Sequence, residues 1–200
     1  MKGRVLVAIT GGIGSGKTTV SKLIEEIGFK VFSCDEIYKD IAKTPEYLNS
    51  LKTIFPFVVD GNNELNRTEL ARVVFNDSVQ LKKLNELSHP IIISELERRI
   101  RNENGLIFCE VPLLFEGNLQ EKFDYVLIVL RPLPLRVDSI VERDGITKED
   151  ALKRIKNQFD YDKLNDFPQN YAVIENKEGV KELKIQVQNL IEKLLVKHEL

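Results

Sequence analysis

Residues 10–20 read TGGIGSGKTTV, and no other stretch restricts the fold of this chain as strongly. Gly11, Gly16, Lys17 and Thr18 match G-x-x-x-x-G-K-[ST], the spacing of a phosphate-binding P-loop, and both flanks agree with it. Val5, Leu6, Val7, Ala8 and Ile9 form an apolar run suited to a buried β-strand. Val20, Leu23, Ile24 and Ile27 then recur at helical spacing. Strand, glycine-rich turn and helix start are the three parts such a site needs. The glycines let the backbone wrap a polyphosphate, whose charge meets unpaired N–H groups and the positive end of the helix dipole. In this arrangement Lys17 reaches the β- and γ-phosphates and the Thr18 hydroxyl ligates Mg²⁺. A turn that binds nothing requires neither the lysine nor the hydroxyl.

Composition narrows the classes further. The 200 residues suffice for one compact domain with an appended lobe, and 42% hydrophobic with 30% charged residues is the balance of a soluble globular protein. No apolar run approaches the roughly 18 residues of a membrane span, and Met1, Lys2, Gly3 and Arg4 lead directly into the first strand. Neither a membrane segment nor a signal peptide is expected. Cys34 and Cys109 are the only cysteines, too few for a disulfide framework, which suits a cytoplasmic location. A net charge of −2 and a pI near 5.9 give no global sign of a nucleic-acid surface. The cluster Arg98, Arg99 and Arg101 is interleaved with Glu95, Glu97 and Glu103 and reads as a solvated helix face.

Taken in order, the first helix should end near Gly28, and residues 30–33 make a short second strand. At its carboxyl end come Cys34, Asp35 and Glu36, followed by a helix through Ile37 and Ile41. Ligands of open α/β sheets bind beyond the carboxyl ends of the strands, which puts Asp35 near the phosphates; an aspartate there also suits a helix N-cap. The next strand, residues 106–111, lies much further along than the dozen or so residues a parallel crossover needs. The interval has helical periodicity: Leu48, Leu51 and Ile54, then Leu70, Val73 and Val74, then Leu81, Leu84 and Leu87. His89 and Pro90 are expected to open a further helix through Ile93, Leu96 and Ile100, Pro90 standing where a helix start tolerates it. This is read as a helical lobe closing over a second substrate, with His89 either catalytic or a cap and packing residue.

The strand at 106–111 carries Glu110, followed by PLLFE at 112–116. An acidic residue at the end of an apolar strand matches the position that orients Mg²⁺ beside a P-loop, and a buried carboxylate without a cation would be costly. Residues 125–130 form the fourth strand, with Arg131 and Pro132 at its end and a helix from Leu133 bearing Arg136 and Arg143. Thr147 and Asp150 have capping-box spacing for a helix running to about Gln158. Two arginine-bearing helices joined through Asp144, Gly145 and Ile146 suit a lid that brings cations to a transferring phosphoryl group. Residues 171–175 make the fifth strand, and Val180, Leu183, Val187, Leu190, Ile191 and Leu194 stripe a final helix. Asn176 and Lys177 begin a stretch similar to the guanine-reading N-K-x-D motif, but Gly179 stands in place of its aspartate.

These motifs together resemble one family, the dephospho-coenzyme A kinases, over nearly the whole chain. The resemblance rests on the loop at 10–19, Asp35, the R-x-x-L-x-x-x-V-F segment from Arg67 to Phe75, and the pair His89 and Pro90. It continues through PLLFE, R-D-G-I-T at 143–147, Gln158 and V-I-E-N at 173–176. It implies an α/β fold: a five-stranded parallel sheet with flanking helices, a helical acceptor-binding insertion and a lid. The expected parts of this single domain are a core at about 1–44, 105–132 and 168–200, an insertion at about 45–104 and a lid at about 133–167. The implied partners are ATP and dephospho-CoA, with Mg²⁺, in a monomer or small homo-oligomer. By resemblance, Asp35, Lys17 and Arg143 are catalytic. Gly12, Ile13, Gly14, Ser15, Gly16, Lys17, Thr18, Thr19 and Asn176 bind ATP. Thr10, Asp35, His89, Pro112 and Leu113 meet the acceptor, and Thr18 and Glu110 serve the metal. The chain departs from the family pattern at Ser33, where a second aspartate is common, and at Ser139, where a lid-helix arginine is frequent and Arg136 is the expected substitute. It departs again at Glu110, a longer acid than the usual aspartate, and at Tyr171, where aspartate is frequent.

Other readings are a nucleoside-monophosphate or shikimate type of kinase, a regulatory GTPase, and a non-catalytic nucleotide-binding module. PLLFE and the His89-Pro90 segment speak against the first, the missing guanine motif against the second, and Lys17 together with Asp35 against the third.

Overall fold

The computed structural model describes residues 3–75, 77–161, 164 and 170–199. Five strands form one parallel sheet: β1 Arg4–Thr10, β2 Val31–Ser33, β3 Gly105–Glu110, β4 Tyr125–Leu130 and β5 Tyr171–Glu175, in the spatial order β2-β3-β1-β4-β5. β1 is therefore central, and the register pairs Ile9 with Glu110 on one side and Thr10 with Ile128 on the other. Val5, Val7 and Ile9 of β1 pack with Phe108, Leu127, Val129 and Ile174 against α1 (Lys17–Glu26) and α8 (Val180–Lys197). The alternate residues Ala8, Ile107, Cys109, Val126 and Ile128 are buried too. Apolar residues at successive positions are what a parallel sheet covered on both faces requires.

By packing, the chain divides into two compact units: Met1–Ser33 with Asn102–Leu200, and Cys34–Arg101. The second is helical, with α2 Cys34–Ile41, α3 Pro45–Ile54, α4 Arg67–Phe75 and α5 Ser78–Arg99. α2, α3 and α4 all pack on α5, and the unit begins at Cys34, ahead of the boundary expected near residue 45. The helix expected to open at His89 does not: α5 runs unbroken for 22 residues with Pro90 in its interior. Its start is instead Asp77, whose carboxylate accepts from the N–H groups of Val79 and Gln80. A proline in mid-helix removes one backbone bond at a cost of about 3 kcal/mol or more. Here buried Ile93 and Leu96 follow it, and just before it the Ser88 hydroxyl is bonded to Tyr47 of α3 at 2.8 Å, so tertiary contacts hold both halves in line.

In the first unit, β4 is followed by α6 (Leu133–Asp144) and α7 (Lys148–Lys156). Gly145 ends α6 in the left-handed region (φ 65°), and Thr147 caps α7 by accepting from the Asp150 N–H. Val137, Ile140 and Ala151 make a small separate core, with Ile13 of the loop packed against it. Of the expected lid, residues 162–163 and 165–167 lie outside the described residues.

Candidate functional site

The loop between β1 and α1 has the backbone its glycines predict. Gly16 stands at the start of α1 with φ 97°, and a Cβ there would overlap the Asn176 side-chain nitrogen. A Cβ on Gly12 would overlap the Arg136 guanidinium. The first position disfavours side chains by conformation, while at the second the Arg136 guanidinium would have to move aside. Lys17 folds back along the loop, its Nζ donating to the carbonyls of Gly11 (2.7 Å) and Gly12 (3.2 Å). Ser15 is buried, and its hydroxyl has no hydrogen-bond partner among the described residues.

On the β3 side stands the acidic residue. Glu110 is buried at the end of its strand; one carboxylate oxygen accepts from the Thr18 hydroxyl (3.1 Å) and the other from Ser21 (2.7 Å). Thr18 and Ser21 are three residues apart on α1 and so share a face. The register sets Ser33 of β2 opposite Glu110. These are oxygen donors of the kind a hard divalent cation takes, and no cluster of three or more His, Cys, Asp or Glu able to hold a metal exists among the described residues.

On the other side the loop is held by side chains from β4 onward. Buried Arg136 donates through Nε to the Ile13 carbonyl (3.0 Å), while the Ile13 N–H donates to Gln158 (2.6 Å). Arg131 Nη1 reaches the Gly14 carbonyl (3.3 Å) and the Ser139 hydroxyl (2.8 Å). Asn176 donates its side-chain N–H to the Ser15 carbonyl (2.8 Å) and its backbone N–H to Leu130 (2.8 Å). Thr10, fully buried, shares a hydrogen bond with Tyr161 (3.0 Å), whose phenol burial pushes up to about 12. Phe115 stacks on Phe159 with centroids 4.6 Å apart and meets Tyr161 edge-on, and Glu116 accepts from the Phe159 N–H (2.9 Å). Tyr171 lies tilted against Phe115.

The structure thus brings together the loop residues, Lys17, Thr18, Thr19, Glu110 and Asn176. Pro112 and Leu113 are half-buried in the turn after β3. Arg136, the expected substitute at Ser139, lies against the loop backbone at Ile13, and the guanidinium bonded to Ser139 is that of Arg131. Arg143 pairs with Asp144 at the end of α6, through Nε (2.7 Å) and Nη2 (3.0 Å). Asp35 and His89 belong to the helical unit. Asp35 is exposed in the first turn of α2, which begins at Cys34, so it is a first-turn residue and not the N-cap its position suggested. His89 is half-buried within α5. Ser21, Tyr161 and the loop contact of Arg131 were missed by sequence reasoning. Of these only Ser21 had a local signal, its spacing from Thr18.

A parallel sheet of this order, a P-loop after its central strand and an acidic residue on the adjacent strand define a P-loop nucleotide kinase. The model of the dephospho-CoA kinase family matches residues 5–182. A dephospho-CoA kinase of Fusobacterium nucleatum is 34% identical over 190 residues, 94% of this chain and 97% of the relative. A Thermus thermophilus protein of known crystal structure superposes with a TM-score of 0.83 at 32% identity, covering 96% of this chain and 99% of that one. A Campylobacter jejuni dephospho-CoA kinase superposes at 0.67 and 27% identity, covering 95% and 96%. The chain belongs to the dephospho-CoA kinase family.

Proposed function

We propose that this chain transfers the γ-phosphoryl group of ATP to the 3′-hydroxyl of the ribose in dephospho-CoA, giving coenzyme A and ADP. The observation that carries the reading is Glu110 bridged to Thr18 at the mouth of a P-loop, in a chain of this family. With ATP present, Lys17 exchanges the Gly11 and Gly12 carbonyls for oxygens at the β–γ bridge, where charge accumulates as that bond breaks. The amides of residues 12–19 cradle the phosphates. The Thr18 hydroxyl and the Glu110 carboxylate would hold Mg²⁺, a hard cation that takes oxygen ligands. When bound it supplies charge neutralisation across the β- and γ-phosphates. Asp35 accepts the proton of the acceptor hydroxyl as its oxygen bonds to the γ-phosphorus and the bond from that phosphorus to the ADP oxygen breaks. Arg143 offers its charge from the lid at 133–167. Thr10, Pro112, Leu113 and His89 belong to the acceptor side, and Asn176 to the base of ATP. Such a step fits a cytoplasmic enzyme, and no helix among the described residues is long and apolar enough to cross a membrane.

A coupled assay of ADP release tests this. Dephospho-CoA should turn over far faster than AMP, shikimate or adenosine, and preference for any of those three overturns the assignment.

A further inference from the structure

Asp144 is the last residue of α6, at the negative end of the helix dipole, where a carboxylate is disfavoured. Its side chain is only 20% exposed, and two arginines compensate it at once. Arg143 donates through Nε to Oδ1 (2.7 Å) and through Nη2 to Oδ2 (3.0 Å), and Arg154 of α7 adds Nη1 on Oδ2 (2.7 Å). The bonds from Arg143, with the charge of Arg154 behind them, hold the carboxyl below the ordinary aspartate range, so it stays ionised at neutral pH. Two guanidinium groups on one carboxylate leave the trio with an excess positive charge, which attracts an anion.

One bidentate arginine already satisfies a carboxylate. The second is surplus until the first leaves, and Arg143 is the one placed to leave. Its side chain is 61% exposed, and it lies seven residues after Arg136. That spacing sets both on the same face of α6, about 10 Å apart along the axis. Arg136 already touches the loop at Ile13. Were Asp144 held by Arg143 alone, departure of that guanidinium would strand a largely buried carboxylate without a cation, which is strongly destabilising. With Arg154 in place, Arg143 can go and the carboxylate remains paired.

We propose that Arg154 is a positioning residue for phosphoryl transfer: it takes over Asp144 as Arg143 turns from that carboxylate to the γ-phosphate of ATP. Without nucleotide, Asp144 stores Arg143 at the end of α6. With nucleotide, phosphate oxygens replace the carboxylate oxygens around Arg143, and Asp144 passes to Arg154. Only hydrogen bonds are exchanged in this step. The proposal rests on the kinase reading above, in which Arg143 serves the transferring group, and concerns only the donor side.

Binding of Mg²⁺-ATP and of Mg²⁺-ADP, both without acceptor, isolates the γ-phosphate. Arg154→Ala leaves Asp144 to Arg143 alone, so the Kd of ATP should rise about tenfold, equivalent to about 1.4 kcal/mol, while that of ADP stays within about twofold. Adding Asp144→Asn removes the charge that detains Arg143 and should bring ATP binding back toward wild type. A simple clasp between α6 and α7 gives no such rescue, because the second substitution would only loosen the joint further. Should Arg154→Ala not fold, Arg154→Gln keeps most of the stem and loses the charge, and the same weakening and rescue are expected. Unchanged ATP affinity, equal weakening of ATP and ADP, or a double variant no better than the single would each overturn the proposal. A wrong acceptor assignment would leave these constants untouched and show only in the ADP-release assay.

Discussion

Asp35 illustrates how one residue can carry a structural and a chemical reading at once, and how the two separate. In the first turn of α2 its carboxylate faces the positive end of the helix dipole, an interaction of about 0.3–1 kcal/mol. Asparagine forfeits that term but keeps the shape, so Asp35→Asn should melt within a few degrees of wild type. It cannot accept a proton, and proton transfer by a placed carboxylate contributes about 10²–10⁴-fold. Turnover should therefore fall by about that factor while ATP binding persists. Ser33, opposite Glu110 in the register, offers no alternative base. A variant retaining more than about a tenth of wild-type turnover would return Asp35 to its structural role.

At the scale of the element, α6 and α7 differ in how they are held, although both belong to the expected lid. α6 is tied to the loop through buried Arg136 and through Val137 and Ile140, which pack with Ile13. α7 contributes buried Ala151 and half-buried Ile155 to the same cluster, with Arg154 bonded to Asp144 at 2.7 Å. The joint between them is Gly145, in the left-handed region. Motion should therefore be concentrated in α7, with α6 fixed. Amide hydrogen exchange checks this: in the free protein α7 should exchange faster than α6, and it should slow when nucleotide and acceptor bind. Equal rates in the two helices, or no slowing with ligand, would place the moving part elsewhere. The sequence had marked the Gly145 joint and the Thr147 cap correctly, because both are local signals. Which helix is anchored depends on what Arg136 reaches, and that lies in a loop more than a hundred residues away.

For the whole molecule, stability in acid should depend on the carboxylates that tie helices together. Hydrogen bonds from Arg98 and Arg99 hold the Glu95 carboxyl down to about 2 from its ordinary 4.5, and Arg99 also reaches Asp40 of α2 at 2.9 Å. A carboxyl group lowered on folding stabilises the folded state above its ordinary range, and that contribution is lost as pH falls through the depressed value. The window therefore runs from about 4.5 down to about 2. The pairs are partly solvated, so the contribution at neutral pH is on the order of 1 kcal/mol. Glu95→Gln should lose about that much at neutral pH and show a shallower fall in melting temperature through the window. An unchanged profile would mean that these bonds contribute nothing in solution. The cluster of arginines read as a solvated face is thus partly a clasp, because its glutamate sits at i−3 and i−4 and Arg99 has a partner on another helix.

What the sequence by itself determined was whatever is encoded over a few neighbouring residues. The P-loop, the helix start at Thr147 and the strands at 125–130 and 171–175 follow from spacing and from apolar runs, and the structure has them at those residues. The same local motifs, added along the chain, were enough to reach the family. The tertiary structure decided the matters in which two local readings competed or a partner was distant. Pro90 reads as a helix start until Tyr47 and the residues packed beyond it keep α5 continuous. Arg131, Arg136 and Arg143 are equivalent cations along the chain. Only the docking of α6 on the loop gives Gly14 to the first and Ile13 to the second, whereas the third pairs with its own neighbour Asp144. A backbone preference costs little and acts within a turn, whereas the partner of a long charged side chain is set by whichever acceptor the packed core brings within reach.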